Sequence, residues 1–407
     1  MRKFEKKQPL SQEHDAIDLS PQQNEYYEAI SERCGLVQVF LYLILLAFVA
    51  VSFLMNTDLI TYQNLYYFAK DLNSATETVD VLHTDSISYP TDTSQSFALY
   101  RQGLAVAGNT SVTIFTATGR QTVSRNVQYQ NPVAVGTGKY LLVYELDGTS
   151  YSLYNSYTQI HSGKTDSPIR CATMSSSGMY AIVTESEEYA SVVRLYSRNF
   201  ELVNQYRYNG YVTDVAINSK GSYLSVLISR MEKGAFSTSL NVYEPKKDMI
   251  HSQVEIGTGL GLRCGFTDSD VVTVLSGNGV YSVSVGGKLI SEYHFEGKNI
   301  KAFDLSDDGC AIVLKNNRGL GDQQVILFDK KGKILHQTVV DQTIRSVASN
   351  QGNAYLMCSD GLLRIQGKDG SQTFVECMTE GRVLLVTNDG RAMLCSAQKA
   401  TYENFES

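Results

Sequence analysis

Phe303-Asp304-Leu305-Ser306-Asp307-Asp308-Gly309 carries a pattern of apolar residues followed by a polar turn ending in glycine, after which a second apolar run begins. The phrase recurs as Ala172-Thr173-Met174-Ser175-Ser176-Ser177-Gly178, Val215-Ala216-Ile217-Asn218-Ser219-Lys220-Gly221 and Ser346-Val347-Ala348-Ser349-Asn350-Gln351-Gly352. Its glycines lie 43, 88 and 43 residues apart, and one omitted copy divides the middle interval in two. A repeat of roughly 40–45 residues built from short strands is the sequence mark of a β-propeller blade.

Working outward, weaker copies end at Gly103, Gly138 and Gly381, and the omitted one is Gly265-Phe266-Thr267-Asp268-Ser269-Asp270, with Asp270 in place of glycine. Eight turns result, at intervals of 35, 40, 43, 49, 39, 43 and 29 residues. A second pattern stays in phase with the first: strand, tight polar turn, strand, as in Ile326 to Leu335 and Val283 to Ile290. Glycine at such turns supplies the positive φ that tight hairpins need. The last copy, Val383–Val386 followed by Ala392–Cys395, is too short for a whole blade, so a strand between Thr78 and Tyr89 is expected to complete it and close the ring. Closure removes the unpaired edges that invite aggregation. The expected fold is all-β, an eight-bladed propeller over residues 78–407, with seven blades as the alternative.

The N-terminal region reads differently. Leu36 to Met55 is a run of twenty uncharged, mostly apolar residues. At about 1.5 Å per residue, a helix of that length crosses a ~30 Å hydrocarbon core, which predicts a transmembrane helix over 36–55. Five cations precede the run (Arg2, Lys3, Lys6, Lys7 and Arg33), whereas residues 56 to 90 hold only Lys70. That bias predicts a cytoplasmic N-terminus, a cell-membrane location and an extracellular propeller. Residues 1–35 read as a disordered cytoplasmic tail. Residues 56–77 read as a juxtamembrane helix and linker, with Leu59, Tyr62, Leu65, Tyr66, Ala69 and Leu72 in one stripe.

Composition excludes several classes. The 43% hydrophobic and 19% charged content is that of a globular protein, and the net charge of −7 shows no basic stripe, so nucleic acid is not an expected partner. The seven cysteines (34, 171, 264, 310, 358, 377 and 395) form no C-x-x-C pair and mostly sit in apolar runs, where a thiol acts as a small hydrophobe. One disulfide among the last six stays open.

The blade phrase Leu327-Phe328-Asp329-Lys330-Lys331-Gly332-Lys333-Ile334-Leu335 is similar to repeats of quinoprotein-like and WD40-like propellers. The whole arrangement, with Leu65 to Leu72 before the propeller and Ala400-Thr401-Tyr402-Glu403-Asn404-Phe405 at its end, resembles a family of membrane-anchored proteins from Gram-positive, clostridial bacteria defined by a domain of unknown function. The likeness covers most of the chain from about residue 36 and implies no catalytic residue.

Propeller enzymes leave residues that can be sought here. Quinone-dependent dehydrogenases, sialidase Asp boxes and true WD repeats all use Trp, and this chain has none. The six histidines (14, 83, 161, 251, 294 and 336) lack H-x-x-x-H spacing, so they read as surface or strand-end residues. Asp268-Ser269-Asp270 and Asp307-Asp308 lack a calcium loop's series of oxygen ligands and read as turns. No G-x-S-x-G elbow or phosphate loop occurs, and Asn109-Thr110-Ser111 matches a glycosylation acceptor only formally. No catalytic, cofactor-binding or metal-binding residue is therefore expected, and no cofactor.

Three long polar inserts are candidates for contact: Glu185 to Ser191, Arg230 to Ser237 and Lys315 to Asp322. The leading expectation is a non-catalytic, membrane-anchored scaffold binding a protein or cell-envelope partner. The alternatives are a small-molecule sensor signalling through the transmembrane helix and an enzyme with an unfamiliar site.

Overall fold

The computed structural model describes residues 30, 33–35, 37–48, 51 and 85–405, apart from 233, 248, 269, 316–322, 378 and 379. The contacts divide the chain into Met1–Asp80 and Val81–Ser407. The second unit folds as eight four-stranded antiparallel sheets, each a blade of a β-propeller.

Each blade begins with the apolar strand that precedes a turn of the repeat. In chain order these first strands are Gln95–Tyr100, Pro132–Gly136, Ile169–Met174, Tyr211–Ile217, Gly261–Asp268, Asn299–Ser306, Ser346–Asn350 and Val383–Val386. They pack against one another around the axis, and in the first seven blades the second to fourth strands follow outward in sequence order. The expected ladder holds for seven blades. In the eighth, the turn between Val383–Val386 and Ala392–Cys395 carries Gly390, at φ +84°, while Gly381 precedes the first strand. Gly309 shows why glycine recurs here: its φ is +139°, and a Cβ would lie 2.1 Å from the carbonyl oxygen of Phe328 on the third strand.

The eighth blade is completed from the other end of the domain. Ser86–Ser88 pairs antiparallel with Lys399–Glu403, placing Ile87 opposite Ala400. This is the closing strand expected before Tyr89, and it makes the ring eight-bladed rather than seven-bladed.

The core lies between blades. Eight apolar clusters occur, each joining two neighbouring blades, including one that joins the eighth to the first through Ile87, Phe97, Leu104 and Met393. Middle strands are consequently covered on both faces: every residue of Gly103–Gly108 is buried, as are the first six of Gly309–Lys315. Outermost strands face water on one side and alternate, as in Gln372–Glu376.

The inner strands would leave backbone donors unpaired on their axial side. Side chains from the preceding blade supply acceptors. Ser96 accepts from Ala134 N–H at 3.1 Å, Ser191 from Val212 at 2.9 Å, Ser229 from Gly261 at 3.0 Å and Asp214 from Cys264 at 2.9 Å. Asp304 accepts from both the backbone N–H and the hydroxyl of Ser349, at 2.7 and 2.8 Å.

The expected anchor over 36–55 is overturned: among the described residues no helix is long and apolar enough to cross a membrane. Residues 36, 49, 50 and 52–55 of that stretch lie outside the described residues. The single-pass membrane partner, cytoplasmic N-terminus, extracellular propeller and cell-membrane location all rested on that span and fall with it. The expected juxtamembrane helix (56–77) and most of the expected tail (1–35) lie outside the described residues.

Candidate functional site

In an antiparallel meander, the first and third connections of a blade share one edge and the second lies at the other. The repeated turns are first connections, so all eight gather on one face of the ring. Residues of seven blades there line a cavity of about 1110 Å³. Its walls are the adjoining halves of the inner strands, and its rim includes the turn residues Gln102, Ser176, Ser219, Asp307 and Asn388.

The lining mixes aliphatic side chains such as Leu99, Val133, Ile217 and Leu305 with three cations, Arg101, Arg263 and Lys330, and three carboxylates, Asp214, Asp268 and Asp307. Arg263 and Asp214 face each other from neighbouring inner strands, with Nη1 and Oδ1 3.4 Å apart. The Asp214 side chain is 8% exposed and that of Arg263 57%. Burial pushes the Asp214 carboxyl above its usual range, against the opposing pull of Arg263 and the Cys264 N–H. Burial likewise raises Asp304, with the Ser349 donors opposing. At the rim, Asp308 holds the Lys330 ammonium at 3.1 Å, while burial and then the neighbouring Asp308 charge raise Asp307.

This lining offers no activated nucleophile among the described residues. Cys264 lies in the wall, yet burial raises its thiol well above the ordinary value, and burial raises Cys171, Cys310 and Cys395 as well. Cys358 is pushed up to about 11 by the same cause. All seven cysteines are free, so the disulfide left open by the sequence is not formed. Among the described residues no group of His, Cys, Asp and Glu could hold a metal. His161, His251, His294 and His336 lie on the outermost strands of four different blades, and His14 and His83 lie outside the described residues.

Residues 73–402 match a family of unknown function, DUF5711. The chain belongs to that family. No curated protein matches it in sequence. Among solved structures, Sqt1 of Chaetomium thermophilum, bound to the N-terminus of the ribosomal protein L10, superposes with a TM-score of 0.52 at 13% identity, covering 79% of this chain and 97% of Sqt1. BamB of Moraxella catarrhalis gives a TM-score of 0.50 at 14% identity, covering 80% of this chain and all (100%) of BamB. At these identities the likeness shows the propeller fold. The membership agrees with the expected propeller family of unknown function, and corrects the expectation that it is membrane-anchored: no helix able to cross a membrane occurs among the described residues.

Of the three inserts singled out in this DUF5711 chain, Glu185 to Ser191 and the described part of Arg230 to Ser237 are second connections, on the face opposite the cavity mouth. In Glu185 to Ser191, Glu185 accepts from Arg170, which also bonds Asp147. Of Lys315 to Asp322, only Lys315 is described. Arg230 to Ser237 is not a loop: Leu224–Glu232 and Ala235–Glu244 stay paired to the tip, where Gly234 has φ +83°. Met231 and Phe236 face each other there, 66% and 39% exposed, outside every apolar cluster. Met231→Ser and Phe236→Ser are each expected to change unfolding free energy by less than about 0.5 kcal/mol in urea melts. A larger loss would mean that the tip packs on something.

Asn109 of the formal glycosylation acceptor is fully engaged. Its amide donates to the carbonyls of Tyr129 and Gln130, at 2.9 and 2.7 Å, and its carbonyl accepts from Ser94 and Thr93. It serves as a tie between the first two blades.

Proposed function

We propose that this DUF5711 chain is a non-catalytic scaffold that binds a segment of another protein in the cavity at the turn face. The observation that carries the reading is the lining: aliphatic patches, backbone-rich inner strands and charges that balance, three against three. A polyanion would call for an excess of cations, and an apolar small molecule for a drier pocket. A polypeptide, with alternating apolar and charged side chains and its own backbone groups, matches such a surface. Sqt1, of the same fold, is seen with the N-terminus of another protein, which supports the reading by analogy of architecture.

A photo-crosslinking amino acid at Ser219, on the rim, tests it against the same group at Glu255, on an outer strand. Irradiation in cells is expected to give a discrete protein adduct from position 219 and none from 255. Equal, diffuse labelling from both positions would sink the reading.

A further inference from the structure

Resting on that reading, we propose that Arg263 is the anchor of the cavity and that it receives a carboxylate, an Asp or Glu side chain of the bound segment. Arg263 stands on the inner strand of the fifth blade and lines the cavity wall. Its one close acidic partner among the described residues, Asp214, is buried and touches a single nitrogen at the long distance of 3.4 Å. A guanidinium carries five N–H donors in a planar fork, so Nη1 alone is engaged by Asp214 and the remaining donors are left for a ligand in the cavity.

The holding carboxylate is itself fixed. Asp214 Oδ2 accepts the Cys264 N–H at 2.9 Å, which ties it to the residue next to the arginine it orients. The Ser225 hydroxyl lies 3.7 Å from the sulfur of that same Cys264. A fork positioned in advance by a buried carboxylate loses little freedom on binding, and two parallel N–H···O bonds to a carboxylate add geometric selection to charge. Lys330 offers less, because Asp308 already neutralises it at the rim.

If Arg263 served only to neutralise Asp214, a lysine would do the same work, and its half-exposed fork would have no consequence for binding. The two roles separate experimentally. A phage-displayed library of random octapeptides is panned on the full chain, and on Arg263→Lys and Arg263→Gln in parallel, with thermal melts of each. The enriched peptide and its counterpart with the acid changed to the amide are then titrated calorimetrically.

The wild-type chain is expected to enrich peptides with Asp or Glu at one fixed position. Both variants should lose about tenfold or more in affinity, including Arg263→Lys, which keeps the charge facing Asp214 and so the fold. Changing the peptide's acid to an amide should cost as much with the wild type and little with Arg263→Gln. A consensus with no fixed acid, or unchanged affinity in Arg263→Lys, would overturn the proposal. An acid-free consensus whose binding is blocked by Ser219→Trp leaves the peptide-binding reading standing, whereas enrichment of no peptide removes both.

Discussion

Ile87→Asp is expected to destabilise the propeller by about 4 kcal/mol or more, and deletion of residues 86–90 to abolish the closed ring. Ile87 is 2% exposed and lies in the cluster that joins the eighth blade to the first, among Phe97, Leu104, Met393 and Ala400. An unpaired carboxylate there adds a charge-burial cost to the loss of an aliphatic side chain, itself about 2–5 kcal/mol. The strand is also the clasp. Tyr89 donates its N–H to Gln398 and its hydroxyl to Ser396, both at 2.9 Å, and Tyr402 donates to Asp85 at 3.0 Å. Deletion leaves Lys399–Glu403 as an open edge, a template for pairing with other chains. Urea melts and size-exclusion chromatography read the two effects, and Ile87→Val, at about 0.5–1.5 kcal/mol, calibrates them. An Ile87→Asp chain within 1 kcal/mol of the wild type would mean that the pairing of Ser86–Ser88 is not what closes the ring.

The propeller was legible because a blade announces itself twice. Its first turn and its third fall in phase, and burial on both faces makes the middle strands near-continuous apolar runs, as in Gly309–Lys315. Where one signal lapsed, the reading slipped. Gly381 ends the last copy of the pattern but precedes the first strand of its blade, and the turn that matters is at Gly390, 38 residues after Gly352 rather than 29. The Arg230 to Ser237 insert failed for a related reason: its polar composition suits a loop, yet cross-strand pairing from Leu224 to Tyr243 carries the hairpin outward regardless. The anchor over 36–55 is the other departure: among the described residues no helix is long and apolar enough to cross a membrane.

The proposed site is partly legible in the ladder. The turns and long inserts draw attention as polar segments, whereas Asp214 and Arg263 stand upstream, inside the inner strands. Asp214 and Arg263 each lie seven residues before their own turn mark, Gly221 and Asp270, and so occupy one level of adjacent blades. Opposite charges at matching rungs of neighbouring inner strands are a readable signal once the repeats are aligned. What alignment does not supply is exposure: nothing in the sequence separates a buried Asp214 from an Arg263 whose side chain remains open to the cavity.

Asp214→Ala is expected to cost about 2–4 kcal/mol, and Asp214→Asn less than about 1 kcal/mol at neutral pH. Alanine leaves the Cys264 N–H without its acceptor and Arg263 without its counter-charge. An orphaned buried donor costs about 1–3 kcal/mol, and the half-exposed arginine, resolvated by turning toward the cavity, adds only part of what a fully buried charge would. Asparagine keeps a carbonyl oxygen for Cys264 and removes a charge that burial disfavours. The pH dependence has a definite sign. Because the folded-state pKa values of Asp214 and Asp304 are raised, their contribution to stability is fully present below the unfolded value of about 3.9 and is lost as pH rises through the raised folded values. Asp214→Asn and Asp304→Asn should therefore each flatten the fall in unfolding free energy over that interval, and the double variant should flatten it further. Urea melts across that window measure the slope. Equal costs for alanine and asparagine at position 214, or slopes that do not respond, would show that the carboxylate neither serves Cys264 nor carries a burial penalty in the folded ring.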